Sequence, residues 1–272
     1  MQFNTTALVA TGLLSLMLAS PAHAALVDRG AGMIYDDVLD LTWLRDANLA
    51  ASNTFGIPYN TNLGNHPNDS YGANYDEIIG SDGRMTWGAA LHWIDAMNAA
   101  NYLGYSDWRL PTVSPVNGSS FVYLNFTHGE YDIGYNISAE GSWYEGSTAS
   151  ELAYMYYQNL GNLGKYDLAN PSNLSGCGTS SADTCLDNVG PFVNLQSSYY
   201  WFGTESALSN TDAWDFNMSD GFQGAYGYKI NNFYAWAVRD GDVATVPVPG
   251  AALLFVSGIV GVFGGNRIKK LR

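Results

Sequence analysis

The sequence predicts an α+β domain on three observations: two amphipathic helical segments, a closing run of strands with period-two patterning, and connections rich in Gly, Asn and Ser. Hydrophobic residues make up 47% of the 272 residues and charged residues only 13%, a balance that excludes a disordered polyelectrolyte. Aromatic residues reach 14% and there are 30 Gly, as expected of a loop-rich extracytoplasmic domain. The formal net charge of −14 argues against a nucleic-acid partner, which would call for a basic face.

The elements follow in chain order. Leu26 to Asp36 reads as strand, glycine turn and strand around Gly30-Ala31-Gly32, and Leu41-Thr42-Trp43-Leu44 continues in the same style. Phe55 to Arg84 has no clear period and is read as a long loop or insertion. Thr86 to Asn98 is a helix, with Trp87, Ala90, Leu91, Ile94 and Met97 on one face and Thr86 as its cap. A second helix is expected from about Thr148 to Leu160, with Thr148 and Glu151 as a capping box, Leu152, Met155, Tyr156 and Leu160 on one face, and Gly161 as its stop. Tyr199 to Phe202, then Trp214, Phe216 and Met218, then Tyr226, Tyr228 and Ile230, and finally Tyr234 to Val238 are strands; Ser219-Asp220-Gly221 is turn chemistry.

Both ends read as addresses. Residues 1–24 carry no formal charge, contain the apolar stretch Ala7 to Leu18, and end in Ala22-His23-Ala24, with small residues where signal peptidase requires them; cleavage is expected after Ala24. At the other end Val246-Pro247-Val248-Pro249-Gly250 precedes fifteen uncharged residues, read as a transmembrane helix, and a tail with Arg267, Lys269, Lys270 and Arg272. The basic tail sets the domain outside and the tail in the cytoplasm. This three-part ending resembles the PEP-CTERM sorting signals of Gram-negative bacteria, in their VPLPA variant, with Val248 in place of the parent glutamate and Gly250 in place of alanine. The resemblance implies processing by an exosortase, and hence an inner-membrane-anchored precursor that becomes a cell-surface or matrix protein. The division is then 1–24 signal peptide, 25–243 exported domain and 244–272 sorting tail. Without its ends the domain keeps seven Lys and Arg against 25 Asp and Glu, a net charge of −18.

Gly104-Tyr-Ser-Asp-Trp-Arg-Leu-Pro-Thr112, Gly190 to Gln196, Tyr200-Trp-Phe-Gly-Thr-Glu205, Ala213-Trp214 and Ala235-Trp-Ala-Val-Arg-Asp-Gly241 resemble the DUF1566 family, named also for the C-terminal domain of the Legionella collagen-like adhesin. The resemblance spans roughly residues 26–243 and implies a C-type-lectin-like fold. It implies a non-catalytic binding or adhesion module that contacts polysaccharide or protein. The Legionella relative suggests sulfated glycosaminoglycans, but a domain at −18 repels sulfates, so a neutral glycan or a protein fits better. Two alternatives stand beside it: an enzyme of the formylglycine-generating type, and a passive structural component of an exopolysaccharide layer.

Few residues invite chemistry. Cys177 and Cys185 are expected to form a local disulfide in an oxidising compartment; the alternative is a redox or copper pair. Asp107, Arg109, Glu205 and Arg239, the charged members of the family motifs, are read as structural ion pairs, and Trp108, Trp201, Trp214 and Trp236 as core. His66, His92 and His128 form no zinc motif. Asp36, Asp37, Asp40, Asp215 and Asp220 are read as solvated turn acids, with calcium as the alternative. No triad, P-loop or dinucleotide fingerprint is present, no cofactor is implied, and no ligand-contacting residue is singled out.

Overall fold

A computed structural model describes residues 26–170, 172–173, 175–177 and 184–243. The signal-peptide, transmembrane and sorting-motif expectations lie outside these residues. Among the described residues no helix is long and apolar enough to cross a membrane.

Two sheets and two helices form the α+β arrangement. The first sheet has the order β1-β2-β3-β9, antiparallel throughout, from Leu26–Gly30, Met33–Asp36, Leu41–Leu44 and Val238–Asp240. Its first hairpin turns through Gly30, Ala31 and Gly32, all with φ between 51° and 84°, which explains the paired glycines. Trp43 on β3 packs on Trp236, with ring centroids 4.6 Å apart, and Phe192 meets Trp236 edge-to-face at 4.7 Å.

The second sheet has the order β4-β5-β8-β7-β6, from Asn125–Phe126, Ile133–Gly134, Phe222–Tyr228, Asp212–Asn217 and Tyr199–Glu205. Only the short β4–β5 pair is parallel. The patterning locates β7 and β8 but not their faces. Every residue of β7 is buried, including Asp212, Asp215 and Asn217. On β8 the large members Tyr226 and Tyr228, and Ile230 just beyond, are exposed, while Ala225, Gly227 and Lys229 point inward.

Helix α1, Trp87–Ala99, buries Trp87, Ala90, Trp93, Ile94 and Met97. Thr86 holds the cap position, but its hydroxyl accepts from Ile78 N at 3.0 Å rather than from the helix. The indole of Trp87 donates to Phe202 O at 2.8 Å and the indole of Trp201 to Met85 O at 2.8 Å, so helix and sheet are stitched by buried N–H groups. Helix α2 begins later than the capping box predicts. It spans Glu151–Tyr154, with Ser150 Oγ accepting from Ala153 N at 3.2 Å, and continues as a π-helical turn over Met155–Asn159 before Gly161, at φ 65°. Glu151 is unavailable for capping because Arg109 and Thr112 hold its carboxylate.

Residues 55–84 lack helix or named strand, as expected of an insertion, yet they contribute the buried His66, Asp69, Glu77 and Ile79. Seven of the eight tryptophans are at most 2% exposed. The exception, Trp143, marks the site described next.

Candidate functional site

Trp143 is 75% exposed on a loop whose backbone is firmly held. Its N–H donates to His128 O at 3.0 Å, Ser142 N to Ala139 O at 3.1 Å and Gly146 N to Ser138 O at 2.9 Å. Asn136 and Ser138 take left-handed conformations, at φ 61° and 72°, and such non-glycine strain concentrates at functional sites. Asn136 anchors the loop from below. Its Nδ2 donates to Thr127 O at 2.7 Å and Tyr166 O at 2.9 Å, and its backbone N donates to Tyr157 Oη at 2.8 Å. The Tyr157 hydroxyl in turn donates to Gly221 O at 2.8 Å. Gly129 must be glycine, since a methyl there would meet Asn136 O at 2.3 Å.

Asn136 is also one wall of a cleft of about 260 Å³, completed by Leu163, Gly164, Tyr166, Asp167 and Leu168. The volume suits one ring-sized group rather than a large ligand. The Trp143 loop approaches the cleft at Gly141, where an added methyl would lie 3.8 Å from Leu168 Cδ1. Tyr166 meets Tyr135 edge-to-face at 4.8 Å, and Tyr135 meets Phe222 at 5.1 Å. Lys165, on the same segment, is exposed. The other six basic side chains from residue 26 to 243 each lie within 4.0 Å of a carboxylate; among the described residues Lys165 has no such partner.

Cys177 and Cys185 are joined by a disulfide, with Cα atoms 5.0 Å apart, at the edge of this cleft. Cys185 N donates to Ser219 O at 2.7 Å and Lys165 N to Asp220 O at 2.9 Å, tying the cleft segment to the β7–β8 turn. Replacing both cysteines by serine is expected to lower the unfolding free energy by about 2–3 kcal/mol, the loop-closure value for so short a ring. Urea denaturation measures it, and an unchanged midpoint would show that the bond contributes nothing to stability.

The four charged motif residues fall into two places. Arg239 donates from Nε and Nη2 to both oxygens of Asp107, each at 2.9 Å, and stacks over Tyr105 at 4.1 Å rather than over a tryptophan. Arg109 reaches Glu151 through Nη1 and Nη2 at 2.9 and 2.8 Å, and Asp240 through Nε and Nη2 at 3.0 and 2.6 Å. Since Arg109 pairs with Val238 through the backbone, these guanidinium clusters are neighbours. Glu205 lies apart, against Lys229 and Ser70. Trp108, Trp201, Trp214 and Trp236 are core.

The reading of the aspartates as solvated needs correction for three of them. Asp36 is fully buried and accepts from Val38 N, Leu39 N and Asn159 Nδ2. Burial between the strands pushes the Asp215 carboxyl up to about 7, and burial also raises Asp36, Glu77, Asp132 and Asp220. For Asp220 the nearby Lys165 charge works in the opposite direction. Asp37 and Asp40 are exposed. His66 and His92, far apart in the sequence, meet edge-to-face at 4.8 Å, with His66 3.0 Å from Asp95 and His92 3.1 Å from the buried Glu77. Among the described residues no group of three or more His, Cys, Asp or Glu is arranged to hold a metal ion.

The fold and this surface describe an α+β domain with an exposed aromatic loop and a small cleft. The profile of the Lcl C-terminal domain matches residues 32–239, and the chain belongs to that family. No curated protein and no solved structure matches it.

Proposed function

We propose that this chain is an exported surface protein whose domain is a non-catalytic, adhesin-type binding module. The single observation that carries the reading is Trp143: in a chain that buries every other tryptophan, this one is held out on a pinned loop beside a ring-sized cleft. Family membership supports the surface assignment. An exposed indole on a loop that approaches a small cleft suits stacking on a sugar ring or capture of a protein side chain. The domain charge of −18 favours a neutral glycan or a protein over sulfated chains.

The proposal keeps the C-type-lectin-like arrangement, the signal peptide ending at Ala24 and an exosortase-sorted tail over residues 244–272 with its motif at Val246 to Gly250, which deliver the domain to the surface or matrix of a Gram-negative cell. The formylglycine-generating alternative needs cysteines free for redox chemistry, whereas Cys177 and Cys185 are bonded to each other.

A glycan array and a pull-down from surface extracts, each with wild type and Trp143→Ala, test the binding reading. The expected result is a bound partner whose affinity falls roughly thirtyfold in the variant, about 2 kcal/mol for an anchoring aromatic. Thermal unfolding should stay unchanged because the side chain is 75% exposed. Absence of any partner in both assays would sink the binding module and leave the passive structural role.

A further inference from the structure

Among the described residues, Lys229 is the one Lys or Arg side chain that is completely enclosed. Its Nζ lies 2.7 Å from Asp69 Oδ1, the Asp69 side chain is also fully buried, and Glu205 Oε1 touches the same nitrogen. The indole of Trp87 covers the amine at 4.5 Å. Tyr75 donates its hydroxyl to the second oxygen of Asp69. Glu205, 31% exposed, accepts from Ser70 N at 3.1 Å and from Ser70 Oγ at 2.6 Å. Each participant is fixed from behind: Lys229 N donates to Thr211 O at 2.9 Å, Trp87 N to Lys229 O at 3.0 Å, and Asp69 N to His66 O at 2.9 Å.

An ammonium and a carboxylate shut away from water are costly, and their mutual attraction recovers that cost only in part. One reaction removes both charges from the interior. We propose that Lys229 and Asp69 condense to an intramolecular isopeptide bond, with Glu205 as the proton carrier. The Nζ–Cγ bond forms and one Cγ–O bond of Asp69 breaks. Two protons leave the ammonium nitrogen, pass by way of Glu205 to the departing oxygen, and leave with it as one water. The amide nitrogen keeps one proton, no oxidant or second reactant is needed, and the overall charge is unchanged.

The site has what this step requires. With Oδ1 2.7 Å from Nζ, the amine is already held one bond away from Cγ, and groups held together in a reactive orientation reach effective concentrations on the order of 10⁵–10⁸ M. The Tyr75 hydroxyl polarises the carboxyl under attack. Trp87 and the surrounding burial keep out the water that would reverse the reaction. The partly exposed Glu205 faces the exit. The bond would staple the long 55–84 insertion to the end of β8, across 160 residues of sequence.

The test is peptide mapping of the full chain, expressed with export, then reduced, denatured and digested. The expected product is a branched peptide that joins the segments holding Asp69 and Lys229, lighter by one water than its two parts, with trypsin failing to cut after Lys229. The Glu205→Gln variant should yield the two linear peptides instead. Linear peptides from the wild type, or fragmentation that places the link on Glu205, would overturn the assignment. A branched peptide from Glu205→Gln would overturn the role of Glu205 as proton carrier.

Discussion

At pH 8.5 the Asp215→Asn variant will unfold at higher urea concentration than the wild type, and the gap will close as the pH is lowered. Asp215 sits on β7 with every neighbour buried, and the backbone N–H of Gly227 is the one group that favours its charge. Gly224 and Gly227 make room for it: a methyl on Gly227 would meet the carboxylate at 2.6 Å. Burial raises the folded-state value from 3.8 to about 7. A raised carboxyl leaves stability fully present below the unfolded value and removes it as the pH climbs through the folded one. The loss therefore develops between about pH 4 and pH 7 and amounts to on the order of 4 kcal/mol. Asparagine keeps the shape and an acceptor but cannot ionise. Asp36, Glu77, Asp132 and Asp220 are raised by burial too, so both proteins keep a residual slope of the same sign. Their difference isolates Asp215, and a gap that did not change with pH would refute the argument.

Arg109→Met will be far more damaging than Arg239→Met. It removes the bidentate partner of Glu151, whose side chain is only 11% exposed, and leaves a carboxylate held by Thr112 alone. Removing one partner of a largely buried pair costs about 3–5 kcal/mol. The further change Glu151→Gln in the same chain should restore much of that loss, because no unpaired charge then stays inside. Arg239→Met provides the contrast. Its partner Asp107 is 54% exposed, and an exposed pair contributes about 0–1 kcal/mol. Equal destabilisation by the two arginine substitutions in chemical unfolding would contradict this ranking.

Much of the fold was legible, because local patterns determined it. The first hairpin follows from Gly30-Ala31-Gly32, and α1 from its apolar spacing. The errors arose where tertiary contacts competed with local rules. Thr148 and Glu151 match a capping box, but a guanidinium 42 residues upstream claims the carboxylate. The β8 strand has the expected period and the unexpected face: large Tyr226 and Tyr228 lie outward, while the positions against Asp215 and Trp201 are the glycines Gly224 and Gly227, where even a methyl would crowd them. The same reversal turns Lys229 inward, so a residue that reads as a solvated charge becomes the centre of a buried cluster. The site at Trp143 left a usable signal, a lone Trp-Tyr pair between Gly141-Ser142 and Glu145-Gly146, since aromatics within turn chemistry have no strand to bury them. Its cleft left none, because Asn136 and Leu163 meet only after folding.

The pairing of β3 with β9 sets the order in which the molecule can be completed. The first three strands form a meander from local hairpins, but β3 keeps an open edge until residues 238–240 arrive. The Arg29–Asp242 contact spans 213 residues, and Thr42 Oγ1 donates to Gly241 O across 199. A chain emerging from its N-terminus cannot close this sheet until nearly all of the domain has followed. Such non-local topologies fold slowly, in the millisecond-to-second range rather than microseconds. Throughout that interval the β3 edge is an unpaired strand that can recruit another chain, so dilution and chaperone cover during synthesis should govern yield more strongly than the stability of the finished protein.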